Sequence, residues 1–450
     1  MTEKKNNRAV FVTRLGAIAA TVGSAVGLGN IWRFPYEAGT HGGGAFMLCY
    51  IAFIFIIGVP VICAEFILGR GTRRNVFGAY RAAGGGNWKL AGLIGIVASL
   101  MILSFYSVVA GWTVEYFTQS AIGALDFEDV TQYHQHFDEF SSGAVRPVVY
   151  TLIFLGLNFL VLVRGVTKGI EKVSNVLMPL LLVILVVFCV NSLTFDKAAE
   201  GLSFLFTPDF SALDGPTILG ALGQAFFSLS LGLGCMLTYG SYFDSRTNVC
   251  RTAFSTASLD TMVALLAGII IFPAVFTFGF SPAAGPTLVF EVLPSIFHNL
   301  PGGVVWSTLF FLLLFVASLT STISMSEISI AYFTEQKGMS RRSATVLNTA
   351  IAMVFGTLCA LSFGPLKDFT IFGKSFFDLF DYASSNILLP VGGIIVSLFV
   401  GWEVDKEMLR REYTSNGLYG ARFLPLFVFC LRYVCPIGIS LVFLNSLGII

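Results

Sequence analysis

The sequence predicts an all-α polytopic membrane protein of about eleven transmembrane helices. They are read as two inverted five-helix repeats in which helices 1 and 6 are broken. Three observations carry this. Charged residues make up 12 % of the chain and hydrophobic ones 55 %, with mean hydropathy +0.81, whereas a soluble domain carries about 25 % charge. Apolar stretches long enough to cross a bilayer, roughly 20 residues, recur along the whole length. The triplet Gly-Leu-Gly interrupts the first stretch at 27–29 and the sixth at 232–234.

The expected spans cover 13–37, 41–69, 89–121, 147–163, 169–194, 218–243, 247–280, 304–335, 342–362, 375–402 and 423–448. Repeat one would run over about 8–195 and repeat two over about 216–402, with an extra helix at 423–448, all within a single transporter-like domain, 1–450. The polar segment Met1–Arg8 runs straight into the first span and lacks the short apolar core and small-residue cleavage site of a signal peptide. Most basic residues fall in alternate connections, among them Lys4, Lys5, Arg8, Arg14, Arg70, Arg73, Arg74, Arg164, Lys168, Lys172, Arg341, Arg410 and Arg411. The positive-inside rule then places the N-terminus in the cytoplasm and, with an odd span count, the C-terminus outside a plasma (bacterial inner) membrane. Asp126, Glu128, Asp129, Asp138 and Glu139 make the connection after span 3 acidic, as an outer loop.

The net charge of +1 and the lack of a basic tract give no reason to expect nucleic acid. The eight cysteines, Cys49 to Cys435, sit mostly in apolar runs without a CxxC pair, as small packing residues do. There is no HExxH, no metal-spaced cysteine set and no serine–histidine pair within the spans, so an enzyme is not expected, and no cofactor other than sodium ions.

Broken helices carry the functional reading. Glycine weakens a helix interior by about 1 kcal/mol relative to alanine, and Gly23, Gly27 and Gly29 fall within seven positions of span 1. Unwinding frees carbonyls and amides, which in hydrocarbon is tolerated only where they line a cavity. Matched breaks in two halves point to inverted repeats around a midplane site. Half-helix ends suit a zwitterion, and free carbonyls suit sodium. Gly23-x-x-x-Gly27 is equally a small-residue packing motif. Deep polar residues add to the case: Glu65, Asp260, Asp381 and the hydroxyl run Thr320–Ser321–Thr322, since a charge at the bilayer centre costs at least about 2.5–3.5 kcal/mol.

The stretches RLGAIAATVGSAVGLGNIWRFPY (14–36), HGGGAF (41–46), GQAFFSLSLGLG (223–234) and ASLTSTIS (317–324) resemble the neurotransmitter:sodium symporters, in particular bacterial amino-acid transporters of that family. The similarity runs from about Arg8 to the end of span 10. It implies sodium-coupled symport of a hydrophobic L-amino acid, aliphatic or aromatic, by alternating access, chloride independence being inferred from this chain's own residues. The rivals are a proton-coupled permease of the same fold and a transporter-like amino-acid sensor.

By the resemblance, sodium site one would use the carbonyl of Ala25, Asn30, Ser228, Asp260 and the substrate carboxylate. Site two would use the carbonyls of Gly23, Val26 and Ala317 with the hydroxyls of Thr320 and Ser321. These are oxygen ligands, which suit hard cations. Substrate would meet Ser24, Ala25, Leu28, Gly29 and Tyr106, with its side chain among Ile102, Phe227, Ser228, Ser230, Leu233, Ser321 and Met325. Monoamine carriers have aspartate at the Gly27 position, so glycine there favours a substrate with its own carboxylate. Where animal members hold chloride with a serine, this chain has Ala264. Tyr50, Gln224 and Ser228 of that constellation remain, and Asp260, one turn from Ala264, would supply the negative charge, with protonation as a route to proton counter-transport. Arg33 with Asp381 would close the outer gate under a lid of Tyr106 and Phe227. Arg8 with Glu335, beside Tyr242, would close the inner one. Phe11 stands where a tryptophan is found in a bacterial member. Glu65 would brace the freed backbone of span 6. Gly169 and Pro179 fit a glycine-x9-proline spacing that allows either local unwinding of span 5 or a plain proline kink. Lipid is the expected surroundings, and the oligomeric state is left open.

Overall fold

The structure, a computed structural model, describes residues 9–449 except 126, 128 and 282–287. Among the described residues, eight helices are each long and apolar enough to cross a bilayer: Gly44–Thr72 (span 2), Gly86–Ala121 (span 3), Val166–Ser192 (span 5), Val249–Phe278 (span 7), Gly303–Gln336 (span 8), Arg341–Leu361 (span 9), Phe376–Glu403 (span 10) and Leu424–Ser446 (span 11). Span 1 is a bent pair, Arg14–Ala25 and Gly29–Thr40, meeting at 54°. Span 4, Arg146–Leu162, follows an amphipathic helix, Val130–Ser142, across a 75° bend. Span 6 consists of Gly215–Ser228 and Cys235–Gly240.

Spans 3 and 8 pack along each other most extensively. Span 1 lies against them through its break, where Leu28 N donates to Tyr106 Oη and Ser321 Oγ donates to Val26 O. Span 6 does so through its own, where Leu233 O closely approaches Gly95 of span 3 and Cys235 Sγ meets Ser324 Oγ of span 8. The connections rich in arginine and lysine meet on one face, called inner below. There Arg73 reaches Phe243 O, Arg341 reaches Leu162 O, and Phe11 N donates to Tyr242 O. The Val130–Ser142 helix lies on the opposite, outer face.

Local sequence explains the irregular turns. Wide π turns at Gly29–Arg33, Ile54–Gly58, Tyr382–Leu388 and Cys430–Val434 are each followed by a helix with proline in its first turn: Pro35, Pro60, Pro390 and Pro436. Proline lacks the N–H and crowds the carbonyl four residues back, so the preceding turn opens. Span 6 breaks more completely. Gly232 and Gly234 have φ of +79° and +89°, a region that favours glycine. A Cβ on Gly232 would lie 2.3 Å from Gly393 N of span 10, so the break is also a close approach.

Span 5 remains helical from Val166 to Ser192, with Gly169 in a π turn and Pro179 inside the helix. The unwinding allowed by the glycine–proline spacing is absent in this state. Gly169 has another reason to be glycine: a Cβ would lie 2.2 Å from Val161 O at the end of span 4.

Candidate functional site

The break in span 1 is held by its own asparagine. Val26 leaves the helix with extended geometry, and Gly27 N then donates to Asn30 Oδ1 at 3.0 Å. Asn30 Nδ2 points the other way, to Asp260 Oδ1 at 2.8 Å and Ser228 Oγ at 3.0 Å. Ser228 Oγ in turn donates to Asp260 Oδ2 at 2.7 Å. Asp260 is fully buried in span 7, and no basic side chain pairs with it among the described residues. Both carboxylate oxygens are therefore bonded by neutral donors only. A buried anion left in that condition is expensive, and a small cation is the natural complement. Asn30, Ser228 and Asp260 are thus brought together from three spans, with Ala25 on the adjoining cavity wall.

Tyr50 Oη donates to Ser228 Oγ at 3.3 Å. Gln224 Nε2 donates to Gly29 O at 3.0 Å, while its Oε1 is buried without a partner. Ala264, one turn from Asp260, is buried and brings no polar atom.

A second oxygen cluster lies between spans 1 and 8. Ser321 Oγ donates to Val26 O at 2.8 Å, and Thr320 Oγ1 donates to Ala317 O at 3.0 Å. A Cβ on Gly23 would lie 3.3 Å from Thr320 Cβ, so this position permits the close packing. Gly23, Val26, Ala317, Thr320 and Ser321 therefore share one buried region with no formal charge.

Between the clusters is a cavity of about 30 Å³, lined by Ala25, Gly27, Gly29, Ile102, Tyr106, Phe227, Ser228, Ser230, Leu233, Ser321, Met325 and Leu389. It holds about one water, so an amino acid requires its walls to move. One expected contact differs: Ser24 is buried off this wall, because it and the wall residue Ala25 are successive residues of the helix Arg14–Ala25 and leave it about 100° apart. Leu28 lines the vestibule above, and its amide donates to Tyr106 Oη. Leu389 of span 10 lines the cavity although nothing in its local sequence marks it.

Above lies a vestibule of about 490 Å³. Gly29, Tyr106 and Phe227 line both spaces and separate them. The outer gate pair is not formed. Arg33 and Asp381 both line the vestibule, but Arg33 Nε meets Glu37 at 3.4 Å and its guanidinium lies 4.3 Å from the Phe227 ring centre. Asp381 accepts from Ser385 at 2.8 Å. The vestibule between them is open, which is why no bridge closes it. On its outer rim Phe290 stacks on Phe137 at 5.5 Å. Next to it His134 Nδ1 meets Glu291 Oε2 at 3.0 Å. That hydrogen bond and charge push the His134 imidazole above its ordinary range, and burial raises the Glu291 carboxyl.

The inner side is packed. Phe11 is buried edge-on against Tyr239 and Tyr242, 5.9 Å from each. Glu335 accepts from Asn75 N and Nδ2, both at 2.8 Å. Arg8 lies outside the described residues. Two inner carboxylates were missed by sequence reasoning. Glu327, fully buried in span 8, takes a two-pronged bridge from Arg341 at 2.9 and 2.7 Å and the Tyr242 hydroxyl at 2.6 Å. Glu171 accepts from Val12 N and Thr13 N at 3.0–3.1 Å. A glutamate inside an apolar span was the available signal for the first.

Glu65, buried in span 2, accepts from Gly232 N at 2.9 Å and Leu237 N at 3.1 Å. It thereby satisfies amides that the break in span 6 leaves free.

Broken helices around a small central cavity, a vestibule on one face and a packed opposite face fit a membrane carrier. The model of the sodium:neurotransmitter symporter family matches residues 8–142 and 130–449, and the chain belongs to that family. It is 41 % identical over 441 residues to an uncharacterised sodium-dependent transporter of Bacillus subtilis, YhdH, covering 98 % of each chain. A Haemophilus influenzae sodium-dependent transporter is 35 % identical, covering 99 % of this chain and all of its own. The crystal structure of MhsT in complex with L-phenylalanine superposes with a TM-score of 0.90 at 42 % identity, covering 98 % of this chain and 100 % of MhsT. The protein is a sodium-dependent transporter, not an enzyme.

Proposed function

We propose that the protein couples sodium entry to uptake of a hydrophobic L-amino acid, by alternating access and without a requirement for chloride. The observation that carries this reading is Asp260, a fully buried carboxylate bonded only by Asn30 and Ser228. Sodium, as co-substrate, would neutralise it, together with the Ala25 carbonyl. The substrate carboxylate would complete that coordination and take the Leu28 and Gly29 amides once Tyr106 releases Leu28. Sharing one ion makes each solute raise the other's affinity. A second sodium would lie among Gly23, Val26, Ala317, Thr320 and Ser321.

The negative charge of Asp260 stands where Ala264 provides no chloride ligand, which supports chloride independence. Gly27 has no room for a carboxylate of its own: a Cβ there would lie 2.7 Å from Ser321 Oγ and 2.8 Å from Tyr106 Oη. This favours an amino acid over a monoamine. The wall of Ile102, Phe227, Leu233, Met325 and Leu389 favours an apolar side chain, and MhsT's complex with L-phenylalanine supports an aromatic one. The vestibule faces outside in the orientation set by the basic connections, with the N-terminus cytoplasmic and the C-terminus outside.

The test is competition for sodium-driven uptake into proteoliposomes. Phenylalanine, tryptophan, tyrosine and leucine should compete well and alanine poorly. Equal competition by alanine and leucine, with tryptophan and tyrosine inert, would overturn the substrate class.

A further inference from the structure

On the inner face, where span 4 hands over to span 5, lies a groove of about 430 Å³ lined by Arg164, Lys168, Lys172, Val173, Val176 and Leu177. We infer that it binds the headgroup of an anionic glycerophospholipid, with the acyl chains running up the exposed side of span 5.

Charge comes first. Two other inner arginines are neutralised by carboxylates, Arg70 by Glu412 at 2.7 Å and Arg341 by Glu327. Arg164, Lys168 and Lys172 are exposed, and among the described residues no carboxylate pairs with any of them. The nearest acid in sequence, Glu171, is turned inward and occupied by Val12 N and Thr13 N. The three cations therefore face one opening without a counter-ion from the described residues.

The pattern beyond the charges selects a lipid. Lys168 and Lys172 are one helical turn apart, and the same exposed stripe continues through Val176, Leu180, Val183, Val187 and Val190, which are 38–62 % exposed. A basic end followed directly by an apolar strip matches a phosphate headgroup followed by its chains. A free phosphate would use only the first half of this surface. The site also touches the gate machinery: Lys168 and Glu171 belong to the same π turn, Val166–Glu171. A lipid phosphate on its outer side would hold the turn whose inner side fastens the Val12–Thr13 segment.

The experiment uses full-length protein, delipidated in neutral detergent and titrated with phosphatidylglycerol or phosphatidylcholine, with bound lipid counted by native mass spectrometry. Wild type should retain phosphatidylglycerol in preference to phosphatidylcholine. Each lost charge should weaken that binding about fivefold, and the triple variant Arg164→Gln/Lys168→Gln/Lys172→Gln about a hundredfold. Lys168→Arg/Lys172→Arg should keep it. Arg410→Gln/Arg411→Gln, on another inner helix, should leave it unchanged. Sodium-dependent amino-acid binding by the triple variant serves as the check of folding. Equal retention of the two lipids by wild type, or undiminished phosphatidylglycerol binding by a folded triple variant, would overturn the inference. So would displacement of the lipid by inorganic phosphate at equimolar concentration, which would make the groove a site for soluble anions.

Discussion

The two oxygen clusters flanking the central cavity are built on opposite principles. The first is organised around a formal charge: Asp260 holds Asn30 and Ser228, and Asn30 also ties down the break in span 1. The second has no charge and consists of hydroxyls from span 8 that donate to carbonyls, Ser321 to Val26 and Thr320 to Ala317. A cation entering the first meets an anion already in place. A cation entering the second must turn two hydroxyls from donors into ligands. The difference teaches that the charge is concentrated where spans 1, 6 and 7 meet, while the span 1–span 8 contact is held by a neutral hydrogen bond from Ser321 to Val26.

The largest expected effect breaks the charged cluster. Asp260→Ala should reduce apparent sodium affinity in amino-acid binding by about a hundredfold, corresponding to about 3 kcal/mol for a lost charged contact. Glu65→Gln leaves freed amides of span 6 facing a weaker partner and should lower unfolding stability by about 2 kcal/mol, read as a lower Tm in detergent. It separates damage to the scaffold from damage to the proposed ion site, because sodium affinity at low temperature should change less than in Asp260→Ala. Thr320→Ala, which removes one neutral hydroxyl, should weaken sodium dependence about tenfold. Equal losses in Asp260→Ala and Thr320→Ala would erase the contrast between the clusters.

The smallest effect concerns the outer rim. The His134–Glu291 contact raises the His134 imidazole, so its stabilisation is full below the unfolded value of about 6.5 and is lost as pH rises through the higher folded value. Toward acid it also fades as Glu291, itself raised by burial, takes up a proton. The Tm difference between wild type and His134→Gln should therefore be greatest in the mildly acidic window and vanish in alkali. The ring is half exposed, which keeps the effect small.

Much of this was legible in the sequence because it is local. Glycine clusters mark where helices open, and Gly232 and Gly234 adopt backbone angles that favour glycine. Prolines mark wide turns. A lone Asp260 in an apolar span signals a site because its burial has to be compensated. What was not legible depends on chain segments far apart. Glu171 holds residues some 159 positions away, and Tyr242 reaches Glu327 across 85. Leu389 reaches the cavity only because Gly232 lets span 10 approach. Arg33 and Asp381 do not meet because each has a local partner, Glu37 and Ser385, a choice that their positions in the sequence do not fix.

The central claim is that Asp260 carries the charge that makes chloride dispensable. The most direct measurement is sodium-dependent binding of radiolabelled phenylalanine to purified protein, with chloride present or replaced by gluconate, in wild type and Asp260→Asn. The wild type should bind equally well in both anions, and Asp260→Asn should bind only weakly in gluconate and recover in chloride. Loss of wild-type binding on removal of chloride would contradict the account.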